Sequence, residues 1–406
     1  MDYEAFQLGN GIRVVHQRVP GLIAHAGLLV NTGSRDETEQ EHGIAHLIEH
    51  MVFKGTRKRK AYHIISRLED VGGEINAYTT KEETCVYASF LKEDCSRALE
   101  LLKDIVFDST FPEKEIGREK EVIIDEINSC LDNPGELIFD DFEDLIYRGD
   151  PIGRNILGTP LSLSGIGRGD ILKFRLEHYH TDEMVICIVG DIPAGRLKRT
   201  VEHYFGEVQG KSRSRRRSLP GEYRPEHRQV GKETFQAHCI IGNTGYDLQN
   251  DRRIGLHLLN NILGGPGLNT RLNMSLRERN GYSYYTESHY SPYSDTGVLC
   301  IYFTSDRGKL DRSRKVVMRE FARLREVRLG TLQLHRAKRQ LLGQIAISSE
   351  NHETLMLSNA KSYLVYDRID SLEETGKKIE GIDSSEILDI ANEILAEERL
   401  SSLTFL

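Results

Sequence analysis

The chain has 406 residues, which is too long for one ordinary hydrophobic core, so two or more domains are expected. Charged residues make up 29% of the chain and hydrophobic residues 38%, as in soluble globular proteins. The formal net charge of −8 argues against a general nucleic-acid-binding protein. No apolar run approaches the roughly 20 residues of a membrane span, so no membrane association is expected.

The N-terminus and the cysteines bear on the compartment. Residues 1–6 are acidic and contain no apolar stretch, so a secretory signal peptide is not expected. The six cysteines are scattered without a C-x-x-C pair, which is typical of free thiols in a reducing compartment. Together these features predict a cytoplasmic protein.

The first half of the chain predicts a mixture of strands and helices. Gly9-Asn10-Gly11 lies between two apolar segments and predicts a hairpin turn. Apolar patterns and turn residues then predict strands at 24–30, 74–79, 84–91 and 184–189, and helices at 64–71, 95–107 and 196–204.

Residues 42–56 contain an H-x-x-E-H pattern formed by His46, Glu49 and His50. Apolar residues at helical spacing around it predict a half-buried helix. On a helix the two histidines share one face and could bind one metal ion. Glu49 would then lie close to a water molecule whose pKa zinc lowers to roughly 7, without having to be a ligand. Two surface histidines would give the same pattern, so a third ligand decides between the interpretations.

A candidate third ligand lies in residues 112–127, where a proline stands at the expected start of a helix. Glu119 and Glu126 are seven residues apart, so they fall on one stripe of that helix with apolar residues between them. A buried carboxylate without a partner is costly, and a metal would satisfy one of the two. Glutamate-rich helices are common and mostly solvated, so the pair gains meaning only together with His46 and His50.

The composition changes at residues 210–221, which are basic, rich in serine and end in Pro-Gly. This pattern predicts a linker between a domain at 1–209 and a domain at 222–406. A basic cluster could contact nucleic acid, but an isolated basic run in an acidic chain is more often a solvated tether.

Beyond the linker the chain repeats itself. Asn31-Thr32-Gly33 recurs as Asn243-Thr244-Gly245, an offset of 212 residues from 31 to 243. At this offset the residues of the histidine motif correspond to Leu258, Asn261 and Ile262. The chain is therefore predicted to hold two copies of one fold, of which only the first binds metal. Neither copy shows a regular β-α-β alternation, which predicts α+β domains with helices on one face of a largely antiparallel sheet.

The second half has four further landmarks. The glycine-rich run at 264–267 lacks the G-K-[ST] of a phosphate loop, so it predicts a turn before a helix. Residues 282–286 are rich in tyrosine and predict an aromatic strand. Long helices at 310–329 and 331–349 are predicted to serve core packing. A final strand at 400–406 is predicted to take the place of the last buried strand of the first copy.

The histidine motif is followed by Phe53-Lys54-Gly55-Thr56 and by a glutamate 76 residues after His50. This set resembles the inverzincin peptidases of the pitrilysin/insulinase family, M16, which includes insulin-degrading enzyme and the mitochondrial processing peptidase. The resemblance runs nearly end to end. It implies one zinc ion per chain, held by His46, His50 and Glu126, with Glu49 as general base. Two histidines and a glutamate suit zinc, but this ligand set leaves manganese or cobalt open. Glu119 matches a glutamate that supports a metal-bound histidine.

The resemblance also implies roles in the second half. Arg277 and Tyr284 match an arginine and a tyrosine, seven residues apart with a glycine between them, that contact substrate and stabilise the transition state. Tyr282 is the rival candidate if the register shifts by two residues.

Substrate binding is implied at the strand predicted for residues 74–79. The resemblance makes this an exposed sheet edge to which a peptide adds as an extra strand. Asn76, Ala77 and Tyr78 are the implied substrate-binding residues, of which Asn76 and Ala77 match an Asn-Ala pair of the family.

The implied function is a zinc-dependent endopeptidase that hydrolyses peptides or unfolded segments in a dimeric chamber. Large members of the family join four such domains, and this chain is half as long, so a homodimer would rebuild the chamber. Arg277 and Tyr284 of one protomer would then serve the zinc of the other. Two alternatives stay open: a non-catalytic scaffold subunit, and a catalytic subunit that requires a separate zinc-free partner.

Overall fold

The computed structural model describes residues 3–213 and 217–406. It divides into two compact units. The first comprises Met1–Ile127, Asn155–Ser218 and Ile347–Ser371, and the second comprises Asn128–Arg154, Leu219–Ala346 and Leu372–Leu406. Neither unit is continuous in sequence, because each includes one segment from the other half of the chain.

The strands follow the sequence pattern closely, because local alternation and turn residues determine them. They are β1 (Tyr3–Gln7), β2 (Arg13–Gln17), β3 (Ile23–Val30), β4 (Glu74–Thr79), β5 (Thr84–Leu91), β6 (Met184–Val189), β7 (His227–Val230), β8 (Ala237–Gly245), β9 (Thr286–Pro292), β10 (Gly297–Ser305) and β11 (Ser401–Phe405).

The helices are amphipathic for the most part and bury their apolar sides on the sheets. They are α1 (Ile44–Met51), α2 (Ala61–Glu69), α3 (Cys95–Phe107), α4 (Glu113–Leu131), α5 (Pro134–Ile146), α6 (Pro160–Gly165), α7 (Arg168–His178), α8 (Ala194–Phe205), α9 (Arg253–Gly264), α10 (Leu310–Glu326), α11 (Thr331–Ser349), α12 (His352–Tyr366), α13 (Leu372–Gly381) and α14 (Ser384–Ile394).

The sheet of the first unit has the strand order β1-β2-β6-β3-β5-β4. The β2–β6 pair is parallel and the other neighbouring strands are antiparallel. One face packs against the main core of this unit, to which α1 and α3 contribute buried apolar side chains. Strand β4 lies at one edge of the sheet.

The second sheet has the order β7-β11-β8-β10-β9, in which the β7–β11 pair is parallel and the others are antiparallel. Helices α9, α10 and α14 share one core with it. Strand β11 lies between a parallel and an antiparallel neighbour, as β6 does in the first sheet. The predicted α+β class, with two similar domains and a final strand equivalent to β6, is confirmed.

The second face of each sheet is covered by one helix from the other half of the chain, which the sequence analysis did not predict. In the first unit α12 places Met356 and Ala360 against buried residues of β2, β3, β5 and β6. In the second unit α5 places Ile138 and Phe142 against β8, β10 and β11. Glycines permit the close approach: a Cβ atom on Gly27 would lie 2.8 Å from Met356 Sδ, and one on Gly242 would lie 3.0 Å from Phe142 Cε1.

One secondary-structure prediction in the second half was wrong. The tyrosine-rich segment is not a strand, because β9 begins only at Thr286, and residues Asn273–Glu278 form a π-helical segment before it. Core packing holds for α10, which buries Val317 and Phe321. It holds in part for α11, in which no side chain is fully buried but Leu334, Ala337 and Leu341 pack, partly buried, against the core of the second unit.

The basic linker is not simply solvated. Arg213 and Arg217 form ion pairs with Asp36 at 3.1 Å and 2.7 Å, and the Lys211 carbonyl accepts the Thr181 amide at 2.9 Å. The residues between the two arginines, 214–216, lie outside the described residues.

All six cysteines lie within the described residues and are free thiols, five of them buried. Within residues 3–213 and 217–406, no helix combines the length and the apolarity that crossing a membrane requires.

Candidate metal centre

Helix α1 starts at a tightly constrained position. Gly43 has a φ of +94°, and a Cβ atom there would lie 2.8 Å from the Leu157 carbonyl oxygen, so glycine is required. The carboxylate of Glu37 accepts the amide hydrogens of Gly43 and Ala45, each at 2.9 Å. These contacts satisfy amides at the start of the helix that would otherwise lack partners.

The two histidines of the motif share the predicted face of α1, and their ring centroids lie 4.7 Å apart. Helix α4 brings Glu126 to this face. Its Oε2 atom lies 3.8 Å from Nε2 of His46 and 3.8 Å from Nε2 of His50. The three candidate ligand atoms all lie within 4.8 Å of one another.

This donor set fits a zinc ion. Tetrahedral zinc with ligand distances of about 2.0–2.1 Å places its ligand atoms roughly 3.3 Å apart, so small side-chain movements would close the site. Burial, and then the neighbouring His50, lowers the pKa of His46 to about 4, so its ring is neutral, as a metal ligand must be. Among the described residues His46 Nδ1 is buried without a hydrogen-bond partner. Burying this nitrogen without a partner costs stability, a cost that metal binding by the same ring would offset.

Glu119 lies behind His50 and is buried, as the stripe on α4 predicted. Its Oε2 atom accepts a hydrogen bond from His50 Nδ1 at 3.2 Å. Its Oε1 atom pairs with Lys54 Nζ at 2.8 Å. The first contact leaves Nε2 of His50 directed at the side of Glu126, which is the arrangement of an oriented metal ligand.

Lys54 was missed as a site residue, although it stands in the motif that carries the family resemblance. Its position three residues beyond the end of α1 at Met51 was the available signal, because a long side chain there can still reach the groups around the last helical turn. The lysine supplies the positive charge that a buried glutamate needs.

Glu49 is half-buried on the same turn of α1 as His50. Burial raises its pKa, and the neighbouring Thr79 and His50 counteract that rise. A carboxylate with a raised pKa is better suited to taking up and returning a proton near neutral pH. Thr79 is the last residue of β4, so the carboxylate lies beside the end of the edge strand.

The predicted substrate strand coincides with β4, which among the described residues pairs with β5 on one side and with no strand on the other. Asn76 is exposed. Ala77 packs towards the core that contains α1, whereas Tyr78 lies on the opposite face and donates a hydrogen bond to Glu83 at 3.3 Å. The part these residues take in binding substrate stays a prediction.

Arg277 and Tyr284 lie in the second unit, where the structure brings them together. The guanidinium carbon of Arg277 lies 5.3 Å from the centre of the Tyr284 ring, and 77% of Tyr284 is exposed. Tyr282, the rival candidate, is partly buried against the core of that unit. The geometry therefore favours Tyr284 over Tyr282 as a residue available to a substrate, while its role stays a prediction.

Comparison with known proteins decides the family. Residues 13–160 match the family model described as insulinase (peptidase family M16), and residues 165–341 match that of the M16 inactive domain. A Bacillus subtilis protein named as the uncharacterized zinc protease YmxG is 32% identical over 96% of this chain and 95% of its own length. The chain belongs to peptidase family M16. Another relative, a Rickettsia bellii protein also named as an uncharacterized zinc protease, is 31% identical over 99% of this chain and 97% of its own length.

Solved structures show the same M16 fold. A protease from Helicobacter pylori superimposes with a TM-score of 0.92 at 20% identity, over 100% of this chain and 99% of that one. An M16 inactive-domain protein from Pseudomonas fluorescens gives the same TM-score and identity over 100% and 98%. The first M16 model spans every candidate metal ligand, and the inactive-domain model spans Arg277 and Tyr284.

Proposed function

We propose that this protein is a zinc-dependent endopeptidase that hydrolyses peptides or unfolded polypeptide segments. The observation that carries the proposal is the convergence of His46, His50 and Glu126, with Glu49 beside them on the same helix. The relatives named as zinc proteases support the choice of metal. Since all four positions carry the required side chains, the site does not favour a non-catalytic scaffold.

His46, His50 and Glu126 would hold one zinc ion per chain. When bound, zinc polarises the scissile carbonyl and lowers the pKa of a water molecule. Glu49 removes the proton of that water and returns it to the leaving amine. Glu119 accepts the Nδ1 hydrogen of His50 and so keeps this ring in one tautomer and one orientation.

The substrate adds to β4 as an extra antiparallel or parallel strand. The free side of β4 offers backbone donors and acceptors, so recognition depends on the peptide backbone and tolerates many sequences. Asn76, Ala77 and Tyr78 form the centre of this strand. Because Thr79 at its end lies beside Glu49, a peptide on this edge runs towards the catalytic carboxylate.

Arg277 and Tyr284 complete the chemistry in this proposal. The tyrosine hydroxyl donates a hydrogen bond to the developing oxyanion, and the guanidinium stacked on its ring adds positive charge nearby. In a homodimer that encloses a chamber, Arg277 and Tyr284 of one protomer serve the metal site of the other. The six free cysteines support a reducing, cytoplasmic setting.

The shared site is tested by mixing two inactive variants. Glu49→Gln protein and Tyr284→Phe protein should regain part of the activity when their subunits exchange, because one intact site then forms per mixed dimer. Exchange that is demonstrated by mass or by labelling, yet restores nothing, would contradict a shared site.

The peptidase itself is tested by mass-spectrometric analysis of a peptide mixture of roughly 10 to 40 residues, from about a strand to a small domain in length. Zinc-loaded wild type should cleave these peptides, and Glu49→Gln, which retains every metal ligand, should not. A purified wild type that binds zinc and cleaves nothing would instead support the scaffold subunit or the missing-partner alternative.

A further inference from the structure

Arg217 is an arginine of the linker whose side chain is largely buried, and its guanidinium joins two separate segments of the first unit. Nε and Nη2 bind the two carboxylate oxygens of Asp36 at 3.0 Å and 2.7 Å. Nη1 donates to the side-chain oxygen of Asn31 at 2.9 Å, and Nη2 also donates to the backbone carbonyl of Glu82 at 2.8 Å. The side chain is 9% exposed. A linker residue that served only as a tether would not need these contacts.

The charge balance at this position favours a permanent contact. Burial opposes ionisation of Asp36, but Arg217, Arg213 and the Gly33 amide together hold its pKa below the usual value. The pair therefore stays ionised over the physiological range. A planar guanidinium can bind a carboxylate with two parallel hydrogen bonds and still donate sideways, which an ammonium group cannot do.

Glu82 belongs to the turn that connects β4 with β5. The turn is closed by the hydrogen bond from the Thr80 amide to the Glu83 carbonyl at 2.8 Å. Residues 33–35 run directly against it: the Arg35 amide donates to the Lys81 carbonyl at 2.8 Å, and the Arg35 side chain donates to the Glu82 carboxylate at 2.7 Å. Arg217 bridges this segment and the turn.

The same turn determines where β4 lies. As an edge strand, β4 is held by β5 on one side, by its packing on α1 and by the turn at its end. Thr79, the residue next to the turn, is the one that lies beside Glu49. A displacement of the turn would therefore move the end of the proposed substrate strand relative to the catalytic carboxylate.

We propose that Arg217 is a positioning residue for the substrate strand: by bridging Asp36 and the Glu82 carbonyl, it holds β4 in the place and register that a peptide substrate requires. The inference rests on the proposed function, because it assigns to β4 the binding of substrate. It adds a residue of the linker, remote from the metal ligands in sequence, to the groups that determine peptide binding.

The test compares Arg217→Met with Arg213→Met in the full-length, zinc-loaded protein. Arg213 is the matched control because it also bonds Asp36, at 3.1 Å, and the Asn31 carbonyl, at 3.2 Å. Backbone hydrogen exchange is followed in the peptide that covers residues 74–83 and, as an internal reference, in the buried strand β6. Michaelis constants are measured with a peptide long enough to cover β4.

In Arg217→Met, exchange within residues 74–83 should become about tenfold faster while β6 is unchanged, because only the edge strand loses its anchor. KM should rise roughly fivefold to twentyfold with kcat within about threefold, because a loosened β4 weakens its backbone pairing with the peptide, and that pairing is the same in the bound ground state and the transition state. Arg213→Met should leave the exchange rate and KM within about twofold of wild type, because the hydrogen bonds of Arg213 to Asp36 and Asn31 hold the neighbouring segment rather than the turn at Glu82.

Unchanged exchange in residues 74–83 of Arg217→Met, or the same change in both variants, would overturn the inference. If Arg217→Met does not fold, Arg217→Lys carries the test, because it keeps the charge but loses the double contact; the same direction is expected. Failure of the proposed function is distinguishable: wild type would cleave no peptide, whereas the exchange measurement, which needs no activity, would still decide whether Arg217 holds the strand.

Discussion

Replacing Glu37 by glutamine tests how the metal-binding helix is held. Glu37 is 3% exposed, and its two oxygens each accept one backbone hydrogen at the start of α1. Glutamine keeps one acceptor and turns an amide group towards the other backbone hydrogen. A hydrogen bond to a charged group contributes about 1.5–3 kcal/mol. Loss of the negative charge at the helix N-terminus adds about 0.5–1 kcal/mol. We therefore expect Glu37→Gln to lower the free energy of unfolding by about 3 kcal/mol.

The assay is urea unfolding at neutral pH, combined with a zinc-affinity measurement by competition with a chelator. Fraying at the start of α1 should weaken zinc binding roughly tenfold, as is typical when a residue that supports a metal ligand is removed. Glu39→Gln is the control, since Glu39 is exposed in the same segment and its loss should change stability by less than about 0.5 kcal/mol. A Glu37→Gln variant as stable as this control, with unchanged zinc affinity, would refute the reasoning.

Three further changes test the packing and the electrostatics of the fold. Burial lowers the pKa of His257 to about 4. As the pH falls from 6.5 towards 4, this histidine therefore takes up a proton in the unfolded chain before it does so in the folded protein, and the free energy of unfolding decreases. In His257→Gln this pH-dependent decrease, measured by urea unfolding, should be about 3 kcal/mol smaller. Met356→Ala should lower the free energy of unfolding by about 2–5 kcal/mol, because Met356 is fully buried between α12 and the sheet. Gly242→Ala should lower the free energy of unfolding by more than about 3 kcal/mol or prevent folding, because its Cβ atom would lie 2.1 Å from the carbonyl oxygen of Leu299, a backbone atom that cannot move aside easily. The expression yield and the melting temperature of the variant check this prediction.

Elements with strong local signals were predictable. The strands β4, β5 and β6 and the helix α3 begin and end where the apolar patterns and turn residues predicted. For the third ligand, the stripe on α4 left Glu119 and Glu126 as alternatives, and the family resemblance selected Glu126. Its approach to His46 and His50 required the fold, however, since the ligands lie on two helices separated by 61 residues, from 52 to 112.

Features that depend on distant contacts were not predictable. Helices α5 and α12 each pack on the sheet formed mainly by the other half of the chain. This arrangement leaves only weak traces in the sequence, namely Gly27 and Gly242 on the strands that the helices approach. The linker arginines were expected in solvent because their partner, Asp36, lies about 180 residues away in sequence. Strand propensity alone misassigned the tyrosine-rich segment, which follows Gly281 with a φ of +58° and forms a loop instead.

The central claim is most directly tested by measuring zinc content and peptide turnover on the same preparations of wild type, Glu49→Gln and Glu126→Gln. We predict one zinc ion per chain and cleavage for wild type, one zinc ion and no cleavage for Glu49→Gln, and loss of both for Glu126→Gln. Removal of zinc from wild type by a chelator should abolish cleavage, and added zinc should restore it. Undiminished cleavage by Glu49→Gln, or a full zinc content in Glu126→Gln, would contradict the assignment of these residues.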